Sequence, residues 1–170
     1  KYKIIDSPFD GTKTILVPSL NPDCAIIHVQ QADENGNAQM WGIGGDCKVG
    51  ANASKKVIVS CERIVSRETI GKDPSRTIVP DFKVVAVIEE PFGAHPGYTP
   101  GFYDVDFAFG SLYQKSSDTV EGFESFMNEW VYGLPDRTAY TQHYIERFGY
   151  GAFKKLQADF DYGYPVSYAY

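Results

Sequence analysis

The sequence predicts an α/β fold, an open and mainly parallel sheet flanked by helices. Continuous apolar runs at residues 24–29 and 84–88 are typical of strands that are covered on both faces. A strand, helix, strand order between residues 24 and 60 favours parallel pairing. The chain has 170 residues, 43% of them hydrophobic, which is enough for one sizeable core. We therefore expect residues 1–170 to form a single α/β domain.

The first strands and turn are indicated by short apolar runs with strong punctuation between them. Residues 14–17 and 24–29 are apolar and are bounded by proline and asparagine. The pair Asn35-Gly36 predicts a tight turn, because both residues tolerate positive φ. The short run at 38–41 then predicts a strand that returns beside the one before the turn.

The next stretch predicts further alternation of helix and strand. A glycine-rich connection at 42–50 leads to a short predicted helix at 51–56 and a strand at 57–60. Residues 66–72 predict a brief helix that ends before a proline, because the residue preceding proline avoids the α region. The run 84–88 is the most convincing candidate for a buried strand.

Two helices are predicted in the second half of the chain. The first begins at Asp118, which stands three residues before Glu121 in the spacing of a capping box. We expect its apolar stripe to face the core. That stripe consists of Phe123, Phe126, Met127, Trp130 and Val131. The second helix spans residues 138–148 and ends at Gly149, a common C-terminal stop.

Charge and composition exclude several classes of protein. A formal net charge of −6 opposes nonspecific binding to nucleic acid phosphates. No run of about 18 apolar residues is present, and none opens the chain as a signal core, so neither a membrane span nor a signal peptide is expected. The three cysteines lack the spacing of a zinc site and are predicted to be reduced, mostly buried thiols of a cytoplasmic protein. The aromatic segment at 160–165 is expected to pack on this domain or on a partner.

The best candidate for a binding site is the loop at residues 92–97. It follows the strand at 84–88 and would lie at the carboxyl edge of a parallel sheet, where ligands usually bind. His95 could donate a hydrogen bond to a substrate carbonyl or carboxylate, or transfer a proton. The alternative is that its ring holds backbone groups of the loop. Glu89 and Glu90 adjoin the loop and are expected to form a solvated strand end.

Polar residues also follow the predicted strand at 24–29. Gln30 could orient a ligand carbonyl with its amide, or serve structure alone. His28, within the apolar run, is expected to be a core histidine with satisfied hydrogen bonds. The glycines at 42–45 lack the lysine and hydroxyl residue of a phosphate-binding loop and are expected to form a connection.

Five separated blocks resemble one known family. Residues 23–42 read DCAIIHVQQADENGNAQMWG and are similar to a stretch of family I coenzyme A transferase α subunits, those of the glutaconate type above all. The other four blocks agree with that family in order and spacing. They are KKVIVS at 55–60, DP at 73–74, PFGAHP at 91–96 and EWVYG at 129–133. The resemblance covers about residues 1–137 and fits only the second half of a typical α subunit.

The resemblance implies an enzyme subunit that moves coenzyme A between an acyl-CoA and a carboxylic acid through a glutamyl-CoA thioester. The nucleophilic glutamate is expected in a β subunit, with which this chain would form a hetero-oligomer. The substrate would be a coenzyme A thioester, with no permanently bound cofactor, no metal and neither nucleic acid nor membrane as a partner. The residues expected to bind substrate are Gln30, Gly93, His95 and Pro96. Two alternatives stay open, a coenzyme A thioester hydrolase or ring-opening enzyme on the same scaffold, and a non-catalytic assembly half.

Overall fold

A five-stranded sheet with helices around it forms the centre of the structure, a computed structural model that describes residues 1–158. The aromatic segment at 160–165 lies outside the described residues. The strands are β1 (Lys3–Asp6), β2 (Lys13–Leu16), β3 (Cys24–Ala32), β4 (Ala38–Gln39), β5 (Lys56–Ile64), β6 (Thr77–Val79) and β7 (Val84–Glu89). The helices are α1 (Cys47–Ala53), α2 (Arg67–Lys72), α3 (Phe107–Ser116), α4 (Val120–Met127), α5 (Arg137–Phe148) and α6 (Tyr150–Leu156).

The main sheet has the strand order β6-β4-β3-β5-β7. Strand β5 pairs in parallel with β3 and with β7, whereas β4 is antiparallel to both of its neighbours. Four of the five strands therefore run in one direction, which confirms the predicted open, mainly parallel sheet. The predicted turn and returning strand are also confirmed, since Gly36 has a φ of 106° and β4 pairs with the end of β3.

One face of the sheet carries the apolar core. Side chains from β3, β5 and the short helix α1 meet there. The fully buried members include Val29, Ala51, Val57, Val59 and Cys61. Helix α1 begins at Cys47, earlier than the predicted start at residue 51. The positive φ of Gly45 ends the preceding connection, so the chain can enter the helix four residues sooner.

The opposite face of the sheet is partly exposed. Ile26 on β3 is 75% exposed, and Ile88 on β7 is 48% exposed. The prediction that both apolar runs are covered on two faces is therefore wrong for residues 1–158. Strand β7 lies at the edge of the sheet, and within residues 1–158 both side chains keep much of their surface exposed. Their apolar character marks a surface, and sequence alone does not tell such a surface from a core.

The helices after β7 build a second, aromatic core. Its buried members are Phe92, Tyr103, Phe109, Phe126, Trp130, Tyr140 and Tyr144. Helix α4 is capped by Thr119, whose side chain accepts the N–H of Gly122, so the predicted capping residue Asp118 is one position too early. The predicted end of α5 at Gly149 is confirmed by its φ of 88°.

A π-helical turn, Asn128–Tyr132, extends α4. Such a turn inserts one residue and rotates the side chains that follow it. Trp130 is buried, as the predicted stripe requires, but Val131 is 48% exposed. The prediction for Val131 is wrong because a regular 3.6-residue period does not continue through this turn. Phe123, before the turn, is 39% exposed, so the prediction that it faces the core is also wrong.

The hairpin of β1 and β2 has exposed residues along both of its strands. Among the described residues, no helix is long and apolar enough to cross a membrane. The cysteines differ from one another in environment. Cys61 is buried and Cys47 is half-buried, but Cys24 is exposed, contrary to the expectation that the thiols are mostly buried.

Candidate functional site

The candidate site lies where the parallel strands β3 and β5 end. The loop that follows β7 crosses this edge, and its first residue is tied to the sheet because Glu90 N–H donates to the carbonyl of Cys61 over 2.8 Å. This is the predicted position for the loop at 92–97. Parallel strands leave their carboxyl ends together at such an edge, which is where ligands bind in open α/β sheets.

A cavity of about 350 Å³ opens at this edge, and we call it the strand-end cavity. Three segments surround it: the end of β3, the glycine-rich connection before α1, and the loop after β7. The lining residues are His28, Gln30, Met40, Trp41, Ile43, Gly44, Gly45, Asp46, Cys47, Ala94, Gly97, Tyr98, Thr99 and Pro100. The glycine-rich connection, expected to be only a linker, thus forms one wall of this cavity.

Gln30 joins two walls of the strand-end cavity. It is 1% exposed, and its Nε2 donates to the carbonyl of Trp41 over 2.8 Å and to that of Pro100 over 3.3 Å. Its Oε1 accepts the N–H of Trp41 over 3.4 Å. All these partners are backbone groups. The amide of Gln30 therefore sets the separation of the two loops that face each other across the cavity.

A row of hydrogen bonds runs along the sheet beneath this cavity. His28 and Ser60 are direct neighbours in the parallel register of β3 and β5. His28 Nδ1 lies 2.8 Å from Ser60 Oγ, and His28 Nε2 lies 2.6 Å from Glu62 Oε1. The other oxygen of Glu62 accepts the N–H of Phe92 over 2.9 Å. This row fixes the beginning of the loop to the sheet.

Sequence reasoning identifies only part of this row. His28 is expected to be a core histidine with satisfied hydrogen bonds, and both of its ring nitrogens do have partners. The contact of Glu62 with His28 could not be predicted from the sequence, because the two residues lie 34 positions apart. The signal that could have found it is the spacing of Ser60 and Glu62, two residues apart on one strand, which puts both side chains on the face of His28 once the register is known.

Gly93 packs against the same histidine. A Cβ atom at this position would lie 2.6 Å from Cε1 of His28 and 2.7 Å from the carbonyl oxygen of Glu90. No side chain larger than a hydrogen fits without displacing backbone. The loop therefore approaches the sheet closely only because residue 93 is glycine.

His95 lies on the other side of the loop, inside the aromatic core. Its side chain is fully buried, with Nδ1 2.7 Å from the hydroxyl of Tyr140 and Nε2 3.2 Å from Oδ2 of Asp106. Its ring stacks on Phe92 with 4.4 Å between centroids. Burial lowers the pKa of His95 to about 4, although the neighbouring Asp106 carboxylate opposes this shift. The imidazole is therefore neutral at neutral pH.

Asp106 organises the segment that follows the loop. Burial would raise its pKa, but hydrogen bonds from Tyr144, from the N–H of Phe109 and from His95 outweigh burial and hold the pKa of Asp106 below its ordinary value. Its Oδ1 accepts the N–H of Phe109 over 2.8 Å and so caps α3. One carboxylate thus connects the histidine of the loop to the beginning of a helix.

The loop residues 94–97 separate two cavities. Ala94 and Gly97 line the strand-end cavity, whereas His95 and Pro96 line a second cavity of about 380 Å³ among the helices, which we call the aromatic cavity. The bond between His95 and Pro96 is a cis peptide. The structure therefore brings Gln30 and Gly93 to one side of the loop and places His95 and Pro96 on the other. Glu89 is exposed at the end of β7, where its side chain accepts the N–H of Ile64.

Comparison with known proteins agrees with the arrangement of these elements. A family profile described as Coenzyme A transferase matches residues 3–90. The chain is 43% identical over 141 residues to a glutaconate CoA-transferase subunit of Acidaminococcus fermentans, a match that covers 82% of this chain and 44% of that relative. It is 35% identical over 134 residues to a 3-oxoadipate CoA-transferase subunit of Pseudomonas knackmussii, with 79% and 47% covered.

A solved structure shows the same fold. The crystal structure of glutaconate coenzyme A-transferase from Acidaminococcus fermentans superposes with a TM-score of 0.84 at 39% identity and covers 98% of this chain and 52% of that one. The chain spans about half the length of the curated relatives it matches. On the family profile, the strand order and the identity to these subunits, the chain belongs to the coenzyme A transferase family.

Proposed function

We propose that the chain is a portion of the α subunit of an enzyme that transfers coenzyme A between an acyl-CoA and a carboxylic acid. The observation that carries this proposal is the strand-end cavity, which lies at the carboxyl ends of parallel strands in a chain of the coenzyme A transferase family. Its volume of about 350 Å³ is in the range of small-molecule sites. We take residues 1–170 as one α/β domain that corresponds to the C-terminal portion of such a subunit.

Each of the four predicted substrate-binding residues has a role in this proposal. Gln30 holds the facing loops apart, so that an acyl group or the thioester fits between them. Gly93 lets the loop approach His28 and so closes the base of the cavity. His95 and Pro96 hold Ala94 and Gly97 in place at the cavity, because the ring nitrogens of His95 have their partners in the aromatic core. Their contribution is to position the wall of the cavity.

The nucleophile in this proposal is a glutamate of the partner β subunit. Its carboxylate attacks the acyl-CoA carbonyl and releases the coenzyme A thiolate, which leaves a mixed anhydride. The thiolate then attacks the glutamyl carbonyl, so the first acid departs and a glutamyl-CoA thioester forms. A second carboxylate reverses both steps and becomes the new acyl-CoA. Glu62 is not assigned this role, because both of its oxygens are occupied by His28 and Phe92.

The rest of the proposal follows from this chemistry. The coenzyme A thioester is the substrate, and no permanently bound cofactor or metal is needed. The partner is the β subunit in a hetero-oligomer of α and β, in the cytoplasm, without a nucleic acid or membrane partner. A thioester hydrolase or a ring-opening enzyme is not favoured, since the relatives compared above are named as CoA-transferase subunits. The following experiment distinguishes the enzyme subunit from a non-catalytic assembly half.

The test is a coenzyme A exchange assay on the complete α subunit with its β partner, followed by borohydride trapping of any enzyme thioester. We expect exchange only in the pair, with the trapped label on β. Replacing Gln30 with Ala should lower exchange by about 100-fold, because loops displaced by about 1 Å misplace the reacting groups. The matched control is Gln142→Ala on α5, where the glutamine is exposed.

Three outcomes would count against the proposal. Net hydrolysis of the thioester without exchange would indicate the hydrolase. A thioester trapped on this chain would show that the nucleophile does not belong to the β partner. Full exchange by the Gln30 variant in an intact complex would mean that this part of the protein serves assembly alone.

A further inference from the structure

Phe92, in the loop at the strand-end cavity, has an unusual backbone for its residue type. Its φ is 64°, and among residues 1–158 it is the only residue other than glycine with a positive φ. The left-handed region crowds the Cβ atom of an L-residue, so phenylalanine there costs free energy that glycine would not cost. Such a residue persists where its surroundings hold it, and residues of this kind cluster at functional sites.

Two charged side chains hold the backbone of Phe92, one at its N–H and one at its carbonyl. Oε2 of Glu62, on β5, accepts the N–H over 2.9 Å. A terminal nitrogen of Arg137, the first residue of α5, donates to the carbonyl oxygen. Hydrogen bonds to charged groups are stronger than those between neutral ones. Phe92 is therefore the point at which the sheet and the later helices are joined.

The guanidinium of Arg137 is itself held by aromatic rings. It lies 3.9 Å from the ring centroid of Tyr140 and 5.7 Å from that of Phe92, distances at which a cation is attracted to a ring. Phe92 is 5% exposed, so its ring is fixed within the aromatic core. Arg137 thus contacts both the ring and the carbonyl of one residue. A planar guanidinium suits these two contacts better than the ammonium group of lysine.

The position of Phe92 determines that of the cavity wall. Its carbonyl oxygen also accepts the N–H of His95 over 3.3 Å, which closes residues 92–95 into a turn. Within this turn, the N–H of Ala94 donates to the hydroxyl of Tyr103 over 2.8 Å. Ala94 lines the strand-end cavity, whereas Arg137 lines the aromatic cavity. Arg137 therefore acts on a molecule in the strand-end cavity through the turn.

We propose that Arg137 is a positioning residue that determines which acyl groups fit the strand-end cavity. By holding the carbonyl of Phe92, it keeps Ala94 at a fixed distance from the glycine-rich connection on the facing wall. An acyl group of unsuitable length then meets a rigid wall. Without Arg137 the wall moves, and such groups are accepted more readily. This inference rests on the proposed transfer of coenzyme A.

The test compares acetyl-CoA with hexanoyl-CoA as substrates of the complete α subunit with its β partner. The ratio of their kcat/KM values measures discrimination. Because both substrates are measured on the same preparation, the ratio does not depend on the fraction of enzyme that is folded. We expect Arg137→Ala to bring this ratio at least about threefold closer to one, because the wall is no longer rigid.

Two further variants accompany Arg137→Ala. Arg137→Lys keeps the charge and the long side chain, so it preserves folding, and the ratio should move about twofold towards one because the planar fork of donors is lost. Arg147→Ala is the matched control, since Arg147 is exposed on the same helix and pairs with Glu129 at the surface. Its ratio should equal that of the unchanged complex, because an exposed ion pair contributes little.

Amide hydrogen exchange of the complex tests the turn without any transfer of coenzyme A. Mass spectrometry follows the peptide that contains residues 92–95. Its amides should exchange at least about fivefold faster in Arg137→Ala than in Arg147→Ala, because the turn opens more often once the charged donor is lost. Equal exchange in the two variants would show that Arg137 does not hold the turn, and would overturn the proposal.

The substrate ratios provide the other contrary outcomes. The proposal is overturned if Arg137→Ala and Arg137→Lys keep the ratio of the unchanged complex, or if Arg147→Ala changes it as much as they do. It is also overturned if the unchanged complex uses both thioesters equally, because there is then no discrimination for Arg137 to maintain. A complex that transfers no coenzyme A at all overturns the proposed function itself, and this inference with it.

Discussion

Nε2 of His28 lies 2.6 Å from Oε1 of Glu62, and through this pair the end of the sheet holds the loop that follows β7. The second oxygen of Glu62 accepts the N–H of Phe92, the residue before the glycine that touches the histidine ring. A single buried carboxylate therefore connects two parallel strands to the loop of the candidate site. Changes at Glu62 should affect both the stability of the domain and the shape of the strand-end cavity.

Replacing Glu62 with Gln should lower the free energy of unfolding by about 1–3 kcal/mol. The amide keeps the shape of the side chain but removes the charge from two hydrogen bonds in a buried position. Urea denaturation measures the change. Glu124→Gln, at an exposed position of α4, is the control and should stay within about 0.5 kcal/mol. Equal stability of the two variants would contradict the anchoring role of Glu62.

Gly93→Ala should destabilise the protein by about 1–3 kcal/mol, because the added methyl group meets the ring of His28 and the carbonyl oxygen of Glu90. Gly110→Ala is a matched control inside α3, where a Cβ atom meets nothing within 4 Å. That change should stabilise by about 0.5–1 kcal/mol, since alanine favours a helix over glycine. Thermal and urea unfolding of the two variants should therefore differ in sign. A neutral Gly93→Ala would show that the loop has room to move.

The stability of the domain should depend on pH through His95. Burial lowers the pKa of its imidazole from 6.5 to about 4, so between these values the unfolded chain binds more protons than the folded one. The free energy of unfolding should therefore decrease by about 3 kcal/mol as the pH falls from 6.5 to 4, with no contribution from His95 above pH 7.

Urea denaturation across this pH range checks the prediction for His95. The variant His95→Gln lacks the titrating ring, so its stability should change less steeply with pH than that of the unchanged chain. Parallel profiles for the two proteins would show that other groups cause the dependence.

Asp33→Ala should open the turn between β3 and β4 and cost about 2–4 kcal/mol. The Oδ1 atom of Asp33 accepts three backbone N–H groups, those of Asn35, Gly36 and Asn37, and the side chain is nearly fully buried. Their loss leaves several donors without a partner. Asp23→Asn is the control, because that carboxylate is exposed in its pair with Lys55. If the two substitutions cost the same, the turn does not depend on Asp33.

The sequence predicts five of the seven described strands and the turn, because local chemistry determines them, whereas β1 and β6 are not predicted. Asn35 and Gly36 require a turn wherever the chain goes, and Gly149 ends α5 by its own conformation. Which faces of the sheet are buried could not be predicted in the same way. Ile26 and Ile88 are apolar like core residues, but burial depends on what packs against the sheet, and the described residues leave both side chains largely or half exposed.

The candidate site could be predicted in position but not in detail. A loop after a parallel strand lies at the ligand edge by topology, which is why residues 92–97 could be located from sequence. The partners of His95 could not be inferred, because Asp106 and Tyr140 come from later elements. Pairing across 45 positions, as between His95 and Tyr140, is set by the packing of helices and leaves no local pattern in the sequence.

Residues 94–97 give the two cavities a common boundary that is a single segment of chain. The N–H of Gly97 donates to the carbonyl of Ala94 over 2.8 Å, which closes residues 94–97 into a turn. A molecule that shifts His95 on one side thus changes the space beside Ala94 on the other. If a molecule bound in one cavity changed the affinity of the other, the reverse effect would have the same factor, because thermodynamic coupling between two sites is reciprocal.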